Sequence, residues 1–215
     1  MAEDVFHTIS GPSEGFFKDK GSKFYAYAFP VISTKEIQDY LEQVKKNHPK
    51  ARHACYAWRL GLDGNNYRAN DDGEPSGTAG RPILGQIDSF GLTDVFIVVI
   101  RYFGGTLLGT SGLIQAYRES AADALKNAEK IEKYLSDYIS LGFEYSQMSD
   151  VMNVMKKFDL SPQSQSFDLH PEMQVIIRKR DTASFLHLLK AHLANVSMEE
   201  AEGLDIKNLI KLQYL

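Results

Sequence analysis

Apolar and polar residues along the first 130 positions follow two spacings. Alternation, or short runs of aromatic and β-branched residues, predicts strands at residues 5–9, 23–32, 53–60, 67–70 and 94–101. Apolar residues three or four apart predict two helices. One begins after the capping-box pattern Ser33-x-x-Glu36 and ends at residue 47, and the other covers residues 111–128. Turns are expected at residues 11–13 and 61–66.

The remainder of the chain has a different order of elements. Strands are predicted at residues 137–145, 163–169, 172–179 and 195–202, and helices at 149–158 and 181–192. That order, β-α-β-β-α-β, is typical of a ferredoxin-like plait. The sequence therefore predicts an α+β protein of two domains, residues 1–133 and 134–215.

Composition and charge exclude several classes of protein. The chain has 215 residues, of which 43% are hydrophobic and 24% charged, as in globular proteins rather than disordered ones. Its longest apolar run, residues 95–100, is too short to cross a membrane. The acidic N-terminus shows no signal peptide, and the single Cys55 cannot form an internal disulfide, so we expect a cytoplasmic protein. A net charge of −4 does not suit a dedicated DNA-binding domain.

Residues 104–111, G-G-T-L-L-G-T-S, lie between a predicted strand and a predicted helix. The spacing matches the phosphate loop of nucleoside triphosphatases, but Thr110 stands in place of the lysine, so triphosphate hydrolysis is not expected. Backbone N–H groups around Gly104, Gly105 and Gly109 would still favour an anion at a helix N-terminus. Alternatively, Thr110 or Ser111 simply caps the helix.

Arg101 and Tyr102 end the most apolar predicted strand. Alternation places Arg101 and Phe103 on one face and Tyr102 on the other. An arginine beside aromatic rings can bind a phosphate while a base stacks on a ring. The alternative is that Arg101 pairs with an acid such as Glu74 and the rings belong to the core.

A second glycine-rich segment, residues 71–85, predicts a long irregular loop, and such loops are frequently functional. Asp71, Asp72 and Glu74 are candidate ligands for a weakly bound hard cation, or they cap turns in the loop. His53 and Cys55 share one face of a strand, as a nucleophile and its base would, although a free cysteine is usually buried. No cofactor is expected.

Three sequence blocks carry a resemblance to a known family: H-A-C-Y-A-W-R at 53–59, D-D-G-E-P-S-G-T-A-G-R-P-I-L at 71–84, and V-I-R-Y-F-G-G-T-L-L-G-T-S-G-L-I-Q-A-Y at 99–117. With G-S-K-F at 21–24, they resemble the signature of the IMPACT/YigZ family. The resemblance implies an N-terminal domain of the ribosomal-protein/GHMP-kinase superfold. It also implies a C-terminal ferredoxin-like domain similar to those of elongation factor G. The eukaryotic family member is a regulator of translation.

These observations favour a protein without enzymatic activity that is associated with translation and binds RNA, a ribosome or a translation factor. The expected contacts lie near the two glycine-rich segments, at Ser76, Gly77, Thr78, Arg81, Arg101, Tyr102, Gly104, Gly105, Gly109, Thr110 and Ser111. Two basic clusters, residues 18–23 and 45–52, either face solvent or contact nucleic acid. Alternatives are an enzyme or binding protein for a phosphorylated small molecule or nucleotide, and a protein-interaction module that uses residues 137–215. No membrane contact and no sequence-specific DNA binding are expected.

Overall fold

The computed structural model describes residues 4–62 and 64–215, so Asp63 of the predicted turn and the first three residues of the acidic N-terminus lie outside the described residues. Contacts divide the chain into two compact units. We call residues 6–133 the N-terminal unit, and residues 4–5 with 134–215 the C-terminal unit. Within the described ranges, no helix combines the length and apolar character that a membrane span requires.

The N-terminal unit is built on a five-stranded antiparallel sheet of order β2-β3-β6-β4-β5. A separate pair joins β1 to β7. The strands are β1 Val5–Ile9, β2 Ser13–Asp19, β3 Ser22–Pro30, β4 His53–Leu60, β5 Asn66–Asn70, β6 Val95–Tyr102 and β7 Lys130–Tyr134. The helices are α1 Thr34–Asn47, α2 Gly80–Ser89 and α3 Gly109–Asn127.

Helices cover the two faces of this sheet unequally. Helices α2 and α3 pack on the face that carries Phe24, Ala26 and Ala28 of β3. Helix α1 packs on the opposite face, where Phe29 stacks on Tyr40 with ring centroids 4.2 Å apart. Because β6 lies at the centre of the sheet and is covered on both sides, its residues 95–100 are all fully buried. Burial on both faces of the sheet explains why these residues form a continuous apolar run in the sequence.

The C-terminal unit is a ferredoxin-like plait, as predicted. Its antiparallel sheet has the order β11-β8-β10-β9, with α4 and α5 packed on one face. The elements are β8 Ser136–Gly142, α4 Met148–Lys157, β9 Ser164–Phe167, β10 Pro171–Arg178, α5 Lys179–Ala194, α6 Met198–Ala201 and β11 Lys211–Tyr214. The α+β class with two domains is thereby confirmed.

The predicted elements differ from the observed ones in several places. The last strand is β11 at Lys211–Tyr214, whereas residues 195–202 form a turn and the short helix α6. The predicted loop 71–85 becomes helical at Gly80, and α3 begins at Gly109 rather than at Ser111. Strands β2 and β7 were not predicted. Strand β2 is only partly buried because it lies at the edge of the sheet, which weakens its alternation.

Candidate functional site

A groove lined mainly by aromatic side chains opens on the face of the sheet that α1 covers only in part. We call it the aromatic groove. It has a volume of about 590 Å³ and is lined by Gly21, Lys23, Tyr25, Tyr27, His48, Tyr102 and Phe103. Tyr25 and Tyr27 lie two apart on β3 and therefore point to the same side. Lys23 pairs with Tyr102 across the β3–β6 ladder, which brings both strands to one end of the groove.

His48, the residue that caps the C-terminus of α1, fixes these rings. Its Nε2 lies 2.8 Å from the Tyr27 hydroxyl and its Nδ1 lies 2.9 Å from the Tyr102 hydroxyl. Burial lowers the pKa of His48, against the opposing effect of Glu14, and so favours the neutral ring at pH 7. Tyr25 contacts Tyr102 edge to face at 5.9 Å. The groove therefore presents rings that are already held in place.

A second depression lies beside the groove and shares Tyr102 and Phe103 with it. We call it the basic pocket. It has a volume of about 390 Å³ and its other lining residues are Lys50, Arg52, His53 and Arg101. The His53 Nδ1 donates to the Asp72 carbonyl at 2.8 Å, because a carbonyl oxygen can only accept. Four basic side chains thus converge where β4 begins and β6 ends.

Behind the basic pocket, Arg101 belongs to a buried polar cluster. Its Nη1 lies 2.5 Å from Glu74 Oε1, which also accepts from the Tyr117 hydroxyl at 2.9 Å. The predicted alternative in which Arg101 pairs with Glu74 is therefore the one that the structure shows. Phe24 and Phe103 lie against the guanidinium, with ring centroids 5.6 and 5.7 Å from it.

Cys55 lies buried in the same cluster. Its sulfur lies 2.9 Å from the Asp71 carbonyl oxygen, to which the S–H can donate, and 3.3 Å from the Tyr117 hydroxyl, and His53 is not among these partners. Burial raises the pKa of the Cys55 thiol to about 12, and burial likewise raises the pKa of Tyr117. A reactive His53–Cys55 pair stays a prediction, and burial of the thiol disfavours the thiolate that such chemistry needs.

The acidic residues of the second glycine-rich segment bind protein donors. The Asp71 carboxylate accepts from the backbone N–H groups of Gly77, Ala79 and Gly80 at 2.8–3.0 Å and so caps α2 from outside the helix. The Asp72 carboxylate accepts from the Ala54 N–H at 2.7 Å. Across residues 4–62 and 64–215, no three His, Cys, Asp or Glu side chains are grouped to hold a metal ion. The turn-capping alternative is the one observed.

The other predicted contact residues lie outside the two depressions. Thr78 is buried and its N–H donates to Pro75, while Arg81 is exposed on α2. Thr110 and Ser111 are exposed in the first turn of α3, whose N-cap is Leu108 without a side-chain hydrogen bond. The expectation that Thr110 or Ser111 caps this helix is therefore wrong. Anion binding at that helix end stays a prediction.

Comparisons with known proteins agree with this architecture. The Impact N-terminal domain model matches residues 20–125. The IMPACT family member YvyE of Bacillus subtilis is 29% identical over 92% of this chain and 91% of its own. The IMPACT family member YigZ of Escherichia coli is 35% identical over 65% of this chain and 70% of its own. The chain belongs to the IMPACT family. A crystal structure described as that of a hypothetical protein matches 99% of this chain and 98% of its own, with 28% identity and a TM-score of 0.68.

The three blocks that carry the IMPACT resemblance meet in the buried polar cluster. Cys55 comes from the first block, Glu74 from the second, and Arg101 and Tyr117 from the third, and each bonds directly to another member. The cluster joins β4, the segment before α2, β6 and α3. These blocks therefore supply the buried residues beneath the basic pocket. The exposed surface of the site also includes residues outside the three blocks.

Sequence reasoning missed most of that surface. Tyr25, Tyr27 and His48 were not among the predicted contacts, and Lys23, Lys50 and Arg52 appeared only as members of basic clusters. The signal was the pair of tyrosines two apart on β3, which alternation places on one face. Their exposure could not be inferred, because it depends on where α1 ends.

The first prediction concerns Asp71. Changing Asp71 to Asn should lower the free energy of unfolding by about 1–2 kcal/mol at pH 7, because three backbone donors lose a charged acceptor. Although burial alone would raise the pKa of Asp71, the N–H donors of Gly77, Gly80 and Ala79 lower it overall. The stabilisation is therefore present above the ordinary carboxyl pKa and is lost as pH falls through the lowered one.

Urea unfolding of both proteins between neutral and acidic pH measures this effect. The gap in stability between wild type and variant should close as the pH falls. A gap that is the same at every pH would contradict the capping role of the ionised carboxylate.

Proposed function

We propose that the N-terminal unit binds single-stranded RNA of the translation machinery across the aromatic groove and the basic pocket. The observation that carries the proposal is the arrangement of fixed, solvent-accessible aromatic rings directly beside four basic side chains. Single-stranded nucleic acids are bound by stacking of bases on aromatic rings and by cations that follow the backbone. The IMPACT resemblance, with a eukaryotic member that regulates translation, supports the choice of RNA.

The aromatic groove supplies the stacking surface. Phe103 is 57% exposed and Phe16, which lies against Tyr25 at 5.0 Å, is 45% exposed. Tyr25 and Tyr102 are half-buried and held by neighbouring rings. Because the hydrogen bonds to His48 order Tyr27 and Tyr102 before binding, stacking a base costs little side-chain entropy.

Glu14 lies opposite Tyr27 on β2, but the charge at the other end of the groove suits a polyanion even though the whole chain is acidic. Lys18 and Lys23 face each other across the β2–β3 hairpin at one end of the sheet. Lys50 and Arg52 lie in the basic pocket beside Tyr102. Local potential rather than net charge steers an anionic ligand, so the net charge of −4 does not oppose this binding.

The second prediction tests the stacking. Changing Phe103 to Ala should weaken binding of a short fluorescent single-stranded RNA about 5- to 150-fold, the loss expected for one stacked base. Fluorescence anisotropy at fixed salt measures it. Phe167 in the C-terminal unit, which is 50% exposed, offers a matched control, and changing it to Ala should leave the affinity unchanged.

The third prediction concerns salt. The affinity should fall as salt rises, and changing Arg52 to Gln should reduce the slope of log affinity against log salt by about 0.7, the value for one single-strand phosphate contact. Binding that does not respond to salt, or an equal loss in the Phe103 and Phe167 variants, would contradict the proposed surface.

A further inference from the structure

The lining of the basic pocket is positively charged, and Asp72, which lies beside Arg52 in the adjoining depression, accepts from the Ala54 N–H. Arg101 is compensated by Glu74 within the buried cluster, whereas Lys50 and Arg52 line the pocket without an ion pair among the described residues. Among the described lining residues there is no Asp or Glu. The pocket is therefore suited to a ligand group that bears more than one negative charge.

Arg101 also leaves a donor unused at the base of the pocket. Its side chain is only 9% exposed, and its Nε is buried with no hydrogen-bond partner in the described part of the chain. An unpaired donor on a buried charged group is costly. Oxygen atoms of an anion in the pocket would supply the acceptor that this guanidinium lacks.

The position of the pocket identifies the source of the anion. Tyr102 and Phe103 line both the basic pocket and the aromatic groove. Tyr102 is the last residue of β6 and Phe103 follows it directly, so these two adjacent residues form the boundary that the depressions share. A nucleotide whose base stacks in the groove can place its own phosphate in the pocket.

We infer that the basic pocket binds the terminal phosphomonoester of the RNA strand that lies in the aromatic groove. A phosphomonoester carries about −1.5 to −2 charge at pH 7 and has three acceptor oxygens, whereas an internal phosphodiester carries a single charge. The uncompensated charges of Lys50 and Arg52 and the unused donor of Arg101 suit the terminal group better than the internal one. This inference rests on the proposed RNA binding.

The test compares three RNAs of one sequence, which carry a 5′-phosphate, a 3′-phosphate, or hydroxyls at both ends. In anisotropy measurements with the full chain, one phosphate-ended RNA should bind about tenfold more tightly than the hydroxyl-ended RNA. Preference for the 5′ or for the 3′ form supports the inference and identifies the end. Equal affinities of all three overturn the inference but leave the proposed function standing. Failure of all three to bind overturns both.

Variants locate the preference in the pocket. Changing Lys50 or Arg52 to Gln should weaken binding of the phosphate-ended RNA more than binding of the hydroxyl-ended one and so remove most of the preference. Lys35 is exposed at the opposite end of α1 from His48, and changing it to Gln should leave the preference intact. If the pocket variants weaken all three RNAs by the same factor, the pocket binds internal phosphates and the inference is wrong.

Discussion

Changing Arg101 to Met should lower the free energy of unfolding by about 3–5 kcal/mol. The substitution leaves Glu74 buried without its cation, and the Tyr117 hydroxyl remains as a donor to its Oε1. An uncompensated buried charge is much more costly than the ion pair was worth. The loss should be large because the cluster joins β4, β6, α3 and the segment before α2.

Urea unfolding of a double-mutant cycle measures this coupling. Changing Glu74 to Gln in the Arg101→Met background removes the orphaned charge and should recover a large part of the stability. Additive losses, or a loss below about 1 kcal/mol for Arg101→Met, would show that the pair does not hold these elements together.

Changing Gly104 to Ala should destabilise the N-terminal unit by about 3 kcal/mol and also weaken RNA binding. A Cβ at this position would lie 1.9 Å from the carbonyl carbon of Gly21 and 2.1 Å from the backbone nitrogen of Ser22. Both neighbours are backbone atoms, so no side chain can rotate away. The segments around Gly21 and Gly104 must move apart instead. Gly21 and Phe103, the neighbour of Gly104, both line the aromatic groove.

Gly85 provides the control for this substitution. It lies in α2, and a Cβ there would meet nothing within 4 Å. Changing Gly85 to Ala should stabilise the protein slightly, by up to about 1 kcal/mol, because alanine favours a helix. Thermal unfolding and anisotropy should separate the two variants clearly. If the two variants had equal stability and equal RNA affinity, the close approach of Gly21 and Gly104 would not be needed for either property.

Elements with strong local signals were predicted well from the sequence. Helix α1 follows Ser33, whose hydroxyl accepts from the Glu36 N–H, and the Glu36 carboxylate accepts from the Ile32 N–H. The strand His53–Leu60 was predicted with its observed bounds. Caps and alternation act within a few residues of chain, so one sequence suffices to find them.

At residues 195–202, by contrast, a strand was predicted and the structure has a turn and a short helix. Asn195 adopts a left-handed conformation with φ of 53° and ends α5. Ser197 and Glu200 then form a capping box around α6. Both signals were present in the sequence, but the plait requires a fourth strand and the prediction placed it too early. The strand that pairs with β8 lies further on, at β11.

Partners distant in sequence account for what could not be predicted at the site. Glu74 was named as one possible partner of Arg101, but the choice depends on how β6 and the segment before α2 pack. The aromatic groove needs β3 and β6 in register and α1 ending at His48. Neither condition produces a local pattern in the sequence. The predicted contacts were therefore assigned to the glycine-rich segments instead.

Backbone NMR mapping of the labelled full chain, titrated with a short single-stranded RNA, tests the central claim most directly. We expect shifts to concentrate at Lys23 and Tyr25 of β3, at His48 after α1, at Arg52 before β4 and at Phe103 after β6. The C-terminal unit should remain largely unperturbed. Shifts confined to the C-terminal unit, or none at low salt, would contradict RNA binding in the aromatic groove.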